Sequence, residues 1–335
     1  MTTHPPPHRS QAGFSLPELL IAVTILLIIS SAVTSALLQM TNSQRTIWNR
    51  TQLHAGVRSA TELLQQEVGQ AGRIALPGVG TLGVAVAAPG TLAVGVRIDG
   101  AVPLTMTGFF VGERLVVDVG GPTPCVVVSP CQETVTVTAV NTAAKQVTAT
   151  FEYPHLVGAP VQALGGFGTG IVPPAPYPNG STASILKLYG DINGDGNMVY
   201  VEYTCDPAPA GTGNLYRNVI PYDQTTPKLA ATSSQVLLSN IQNNPGGTAC
   251  FTYMPNPLEV VTNPLGVAES YVLDVAITLT VQTQVVDPIT KEFQTETKAL
   301  LNVSPRNIFS VWQLASAGVT ERVQPMPPTV TNLLP

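Results

Sequence analysis

The chain opens with one long apolar run and then changes period twice. From Phe14 to Leu38 it reads FSLPELLIAVTILLIISSAVTSALL, with Glu18 as its only charge. Leu19 to Leu38 is about long enough to cross a bilayer as a helix. Beyond it, Leu53, Val57, Ala60, Leu64, Val68 and Ala71 recur at spacings of 4, 3, 4, 4 and 3. That spacing lays one apolar stripe along a helix, with Gln, Glu and Arg on the other face. No proline falls between Pro17 and Pro77, and Gly69, Gly72 and Pro77 give a stop signal. The pattern predicts one helix over residues 14–73, membrane-spanning at 19–38 and amphipathic at 40–73. At 1.5 Å per residue it would be ~85 Å long. The outer half is expected to bury its stripe against the C-terminal domain.

After residue 74 the period becomes two. Glu133-Thr134-Val135-Thr136-Val137-Thr138 and Val275-Ala276-Ile277-Thr278-Leu279-Thr280-Val281 alternate as half-exposed antiparallel strands do. Further short strands are expected at Leu92–Ile98, Arg114–Val119, Gln146–Phe151, Ser184–Tyr189, Met198–Thr204, Val236–Ile241 and Cys250–Met254. Glycine and proline separate them. Gly213–Arg217 reads as a hairpin's return strand. A long last hairpin pairs Tyr271–Val286 with Glu292–Val303 through Asp287-Pro288-Ile289-Thr290. Residues 74–322 thus form a β-rich head, mainly antiparallel, and 323–335 a loose tail. The fold class is α+β, with the N-terminal helix packed on the head.

Composition sharpens this picture. Only 10% of residues are charged, while Gly (29) and Pro (30) are plentiful, as in extracytoplasmic β domains. No basic patch is dense enough for nucleic acid. Arg9 precedes the apolar run and Arg45 and Arg50 follow it, so charge counting does not orient the span. Four cysteines, Cys125, Cys131, Cys205 and Cys250, allow three pairings. The expected bonds are Cys125–Cys131, closing a tight loop, and Cys205–Cys250, joining two strands; four buried thiols are the alternative. No CxxC spacing points to zinc.

Glu18 is the anomaly of the apolar run. A carboxylate at the end of a spanning helix costs up to ~3 kcal/mol if carried deep, so it calls for a partner. Cleavage after Gly13 would free an α-amine on Phe14, one helical turn from Glu18, and a neighbouring chain's amine could pair with that acid. Gly13-Phe14-Ser15-Leu16-Pro17-Glu18-Leu19-Leu20 resembles the class III processing site of type IV pilins and pseudopilins. Pro17 replaces the aliphatic residue common there, and the first helical turn tolerates it.

The resemblance implies that residues 1–13 are a leader, removed with His4 and His8 by a prepilin peptidase. It implies N-methylation of Phe14, and that Glu18 steers assembly with minor and major pilins through the N-terminal helix. The inner-membrane assembly machinery would be a partner too. The protein would lie in the inner membrane with its head in the periplasm, then in the pilus at the cell surface. The order of the second half, from Val199-Tyr200-Val201-Glu202-Tyr203 to Pro305-Arg306-Asn307, is similar to PilW-like (type II secretion J-type) minor pilins.

One stretch suggests a metal. Asp191 to Glu202, DINGDGNMVYVE, fits the twelve-residue calcium loop. Asp191, Asn193 and Asp195 would supply side-chain oxygens, Asn197 a carbonyl and Glu202 both carboxylate oxygens, around structural Ca2+. The helices that flank such loops in an EF-hand are missing, and Met198–Tyr203 is strand-like. An Asx/Gly-rich turn without metal is the competing reading.

Enzymatic chemistry has little support. His155 is the histidine of the β body, but no GxSxG elbow accompanies it. The Gly165–Gly170 run lacks a phosphate-loop lysine and reads as a flexible loop. His54 stands alone on the helix and is expected to be exposed. The expected protein is a minor type IV pilin and not an enzyme. A type II secretion pseudopilin, a membrane-tethered adhesin that does not polymerise, and a tethered hydrolase are the alternatives.

Overall fold

The computed structural model describes residues 13, 15–76, 78–98, 108–121, 131–177, 180–208, 213–222, 235–255, 257–262 and 268–333. Two compact units divide the chain. The first holds the N-terminal residues to Gln52 together with Thr283–Gln294. The second holds Leu53–Gln282 and the chain from Thr295 onward.

A single helix, α1 (Leu16–Gln70), runs through the chain's start as the two hydrophobic periods require. Residues Leu19 to Leu38 are exposed along their whole length. In the second unit the helix is the opposite: Val57, Ala60, Leu64, Val68 and Ala71 are at most 1% exposed. They join Leu186, Leu188, Val201, Tyr203, Leu215, Ile277 and Leu279 of a β-sheet in one core. The stop signal acts where expected. Gly72 takes φ 79°, a left-handed value that ends the helix at little cost.

The second unit holds two seven-stranded sheets among the described residues. The first comprises β1 (Gly80–Leu82), β2 (Gly90–Val94), β3 (Val96–Ile98), β4 (Arg114–Val117), β5 (Glu133–Asn141), β6 (Gln146–Phe151) and β7 (Pro160–Ala163). Its order is β2-β6-β5-β4-β7-β1-β3, antiparallel throughout. The two edges, β2 and β3, are separated in sequence by Gly95 alone, so the sheet curls until its edges approach. One apolar face, with Val94, Leu115, Val135, Val137, Ala149 and Val161, is enclosed as a core of its own.

β8 (Gly166–Phe167) leads to the second sheet, built from β9 (Ile185–Gly190), β10 (Val199–Asp206), β11 (Gly213–Pro221), β12 (Val236–Gln242) and β13 (Phe251–Met254). After a small pair, β14 (Glu259–Thr262) and β15 (Ala268–Tyr271), come β16 (Asp274–Gln282) and β17 (Thr295–Val303). The order is β13-β16-β12-β11-β10-β9, with β17 on β16. The last hairpin is therefore shorter than its alternation suggested, because Asp287 organises the stretch between the strands into a turn.

Three expectations are corrected here. Arg306–Ser316 is a helix, α2, within a stretch expected to be all β. Ile308, Val311 and Ala315 are its buried face, and their spacings of 3 and 4 carried the signal. The tail is built into the fold: Val323–Gln324 (β18) pairs in parallel with β8, and α3 (Pro328–Leu333) buries Val330 completely.

The third correction concerns the Gly165–Gly170 segment, which is packed rather than flexible. Gly166 to Gly170 are buried. The Phe167 N–H donates to the Gly72 carbonyl at 2.8 Å and the Gly72 N–H to the Tyr189 carbonyl at 2.9 Å. A Cβ on Gly170 would collide with the Gly72 backbone. The glycines let three backbones meet where α1 ends.

Candidate functional site

The processing motif sits at the first turn of α1. Gly13 is exposed, and a Cβ there would meet nothing within 4 Å. Phe14 lies outside the described residues. Ser15 caps the helix: its carbonyl accepts the Leu19 N–H at 3.1 Å. Glu18, three residues on, reaches back with Oε2 to the Ser15 N–H at 3.5 Å and Oγ at 3.4 Å. This is the backward half of a capping box over Ser15-Leu16-Pro17-Glu18, in a loose form. Sequence reading saw Glu18 as an acid awaiting a partner and missed this signal. Both contacts are long and exposed, and the carboxylate stands at the positive end of the helix dipole. Glu18 is therefore held near the N-terminus while keeping lone pairs for a further donor.

The loop Asp191–Asn197 follows β9. Asp191 is fully buried. Its Oδ1 accepts the N–H groups of Asp195 (3.0 Å) and Gly196 (3.3 Å), and Asp195 Oδ1 accepts that of Asn197 (2.9 Å). Asp191 Oδ2 has no aligned hydrogen bond; the Arg73 Nε lies 3.4 Å away as an ion-pair partner. The Arg73 carbonyl also accepts the Asp191 N–H at 2.8 Å. The guanidinium is thus the cation of this loop, and it too escaped sequence reading because Arg73 is 118 positions upstream. Asn193, Asp195 and Asn197 are exposed.

Glu202 is not brought to the loop. On β10 it pairs in register with Lys187, three strand steps, or ~10 Å, from the loop's base at Val199. Its carboxylate accepts the Tyr200 hydroxyl at 2.9 Å and lies 3.9 Å from the Lys187 Nζ. Among the described residues no group of three or more His, Cys, Asp or Glu is placed to hold a metal ion. The buried Asp191 Oδ2 suits a cation; the position of Glu202 does not complete a calcium shell.

The disulfide Cys205–Cys250 is present and ties β10 to the start of β13. Cys131 is also disulfide-bonded; its expected partner, Cys125, lies outside the described residues.

Two ionic clusters are buried in the head. Glu67 lies on the helix's inner side, not its solvent face. Its carboxylate accepts the Tyr203 hydroxyl at 2.5 Å and both the Nε (3.2 Å) and the Nη2 of Arg217. Burial, and then the Glu67 charge, hold the Tyr203 phenol far above its ordinary range, so it stays a donor. The second cluster is built on His155, 1% exposed. Its Nδ1 is 2.6 Å from Asp118 Oδ2 and its Nε2 is 3.0 Å from Glu133 Oε1. Burial pulls the imidazole pKa down, but Glu133 and Asp118 outweigh it and the net shift is upward. With a carboxylate at each nitrogen, His155 is placed so that the core favours its protonated form. His54 is exposed as expected but not alone, since Glu296 Oε2 lies 2.5 Å from its Nδ1.

No curated protein and no solved structure matches the chain. Residues 8–34 match the model of the prokaryotic N-terminal methylation motif. That match covers Gly13, Phe14, Glu18 and most of the apolar run, and with the long helix it fits a type IV pilin-like chain.

Proposed function

We propose that the protein is a minor type IV pilin, a structural subunit that helps initiate or cap pilus assembly. The observation that carries this is a methylation motif heading an apolar run with no burial in its own chain. Such a run needs a solvent of lipid or of like helices. A prepilin peptidase would cut between Gly13 and Phe14 and methylate the new amine. Glu18, loosely capped, would then take the amine of an adjacent subunit in the helical bundle. Before assembly the span would anchor the protein in the inner membrane with its head in the periplasm; afterwards the head would stand on the pilus at the cell surface. Other minor and major pilins and the inner-membrane assembly machinery are the partners. The head's paired sheets, disulfide and buried ionic clusters suit a rigid structural part better than an enzyme.

A type II secretion pseudopilin shares every N-terminal feature; the size of the head leans toward the pilus. Deleting the gene separates the two, because loss of surface pili with secretion intact supports the pilin and the reverse supports the pseudopilin. A Gly13→Val substitution tests processing itself. Unprocessed precursor is expected, and unchanged gel mobility would favour a plain tethered adhesin.

Calcium at Asp191–Glu202 is a separate proposal, with Asp191, Asn193, Asp195 and Asn197 as the ligands already in one loop. It requires Arg73 to yield Asp191, and it leaves Glu202, held on β10 beside Lys187, outside the shell. A calcium-dependent rise in melting temperature that Asp195→Ala removes would support it. Identical melting in calcium and chelator would reject it.

A further inference from the structure

The first unit contains an apolar patch that neither the motif nor the span explains. Thr283–Gln294, the end of the β16–β17 hairpin, belongs to it together with the N-terminal part of α1. The Arg50 Nε donates to Gln294 Oε1 at 2.8 Å, and Thr46, whose hydroxyl donates to the Asn42 carbonyl at 3.2 Å, stands beside the Asp287 carboxylate. From Gln294 to Asp287 the helix partner steps back one turn toward the apolar run. The end of the hairpin therefore points along α1 toward the span.

This turn is a built one. Asp287 is fully buried. Its Oδ1 accepts the N–H groups of Ile289 (2.7 Å) and Thr290 (2.9 Å), and its Oδ2 accepts the Gln294 amide. Its own N–H donates to the Glu292 carbonyl and its carbonyl accepts from Lys291, both at 2.9 Å. On this frame Val285 (61% exposed), Ile289 (58%) and Phe293 (46%) face outward. On the helix at the same level stand Ile47 (65%) and Trp48 (72%). Arg45 and Lys291 are exposed among them.

The distances suit the headgroup layer. Thr46 is eight residues past Leu38, ~12 Å along the helix. Ile289 lies in the turn capped by Asp287, two residues beyond it and so within at most about 7 Å of that level. The polar layer adds about 5–8 Å to each side of the hydrocarbon core. Aromatic and aliphatic side chains mixed with Arg and Lys are what that layer accommodates.

With the span in a bilayer, as proposed above, we infer that the Asp287 turn is a second membrane contact, seating Ile289 and Phe293 in the headgroup region of the membrane the helix crosses. It would fix the rotation and tilt of the anchored subunit, which a lone helix leaves free.

The full chain, reconstituted in phosphatidylethanolamine/phosphatidylglycerol vesicles, tests this. A fluorophore is placed on Ile289→Cys or, in a second variant, on Ser30→Cys near the middle of the span. The expected result at 289 is several-fold stronger quenching by headgroup-level spin-labelled lipid than by deep acyl-chain spin label, with protection from aqueous iodide. At 30 deep quenching is expected. Full iodide access at 289 without lipid quenching, beside normal deep quenching at 30, would overturn the inference and leave the anchor standing. Absence of deep quenching at 30 would overturn both. Quenching at 289 only by a spin-labelled second copy of the chain would reject the lipid and assign the patch to a neighbouring subunit.

Discussion

Two stretches of the same helix obey opposite rules. Residues 53–71 bury one stripe against a β-sheet and expose the other face. Residues 19–38 are predominantly apolar on every side and exposed throughout. A helix apolar on every side belongs in a core or a bilayer, and among the described residues no core covers this one. The comparison teaches that one half of α1 serves folding, while the other half, on the function proposed above, serves assembly. Substitutions should therefore sort cleanly between them.

The largest effect is expected at Glu18. Glu18→Ala should remove the subunit from sheared filaments almost completely, while membrane retention and head melting stay as in the wild type. Filaments carrying normal amounts of the variant would break the distinction between the halves. Next comes the inner stripe. Leu64→Ala, at 0% exposure, should cost the head about 2–5 kcal/mol in denaturant melts of the full chain in detergent, whereas Leu26→Ala, 62% exposed in the span, should cost the head nothing. Glu67→Ala should cost about 2–3 kcal/mol by leaving Arg217 and the Tyr203 hydroxyl without their acceptor. The Arg217 side chain is 25% exposed, which keeps the figure below that of a fully buried pair.

The smallest effect is one of pH. His155 carries a raised pKa in the fold, so its contribution is complete below about pH 6.5 and is lost as pH rises through the folded value. Glu113 is fully buried and burial holds its carboxyl well above the ordinary range, against a weaker bond from the Phe110 N–H. The fold keeps a proton there that the unfolded chain releases above about pH 4.3, so this group too favours the folded state less as pH rises. The head should melt at higher temperature near pH 5.5 than near pH 8.5. Glu113→Gln should flatten part of that slope, and an unchanged slope would show that the carboxyl is ionised in the fold.

The sequence disclosed whatever depends on neighbours in the chain. The stripe from Leu53 to Ala71, the alternating strands and the processing motif are all periodic or contiguous. It concealed whatever depends on distant partners. Nothing near Gly165 says that its glycines meet Gly72, and nothing near Asp191 says that Arg73 will stand beside it. The helix Arg306–Ser316 was legible in its 3 and 4 spacing but lay inside a run of strands. Glu202 obeyed the loop's spacing, yet β10 fixed it in register with Lys187, because a ladder of backbone hydrogen bonds outweighs a single carboxylate's reach.

The central claim is that the apolar run exists to be shared with other chains once its leader is gone. Intact mass and N-terminal sequencing of the protein from membranes or sheared pili test this most directly. The account predicts a chain that begins with N-methylated Phe14. A chain that still carries residues 1–13, with an unmodified amine and no loss from the membrane, would contradict it.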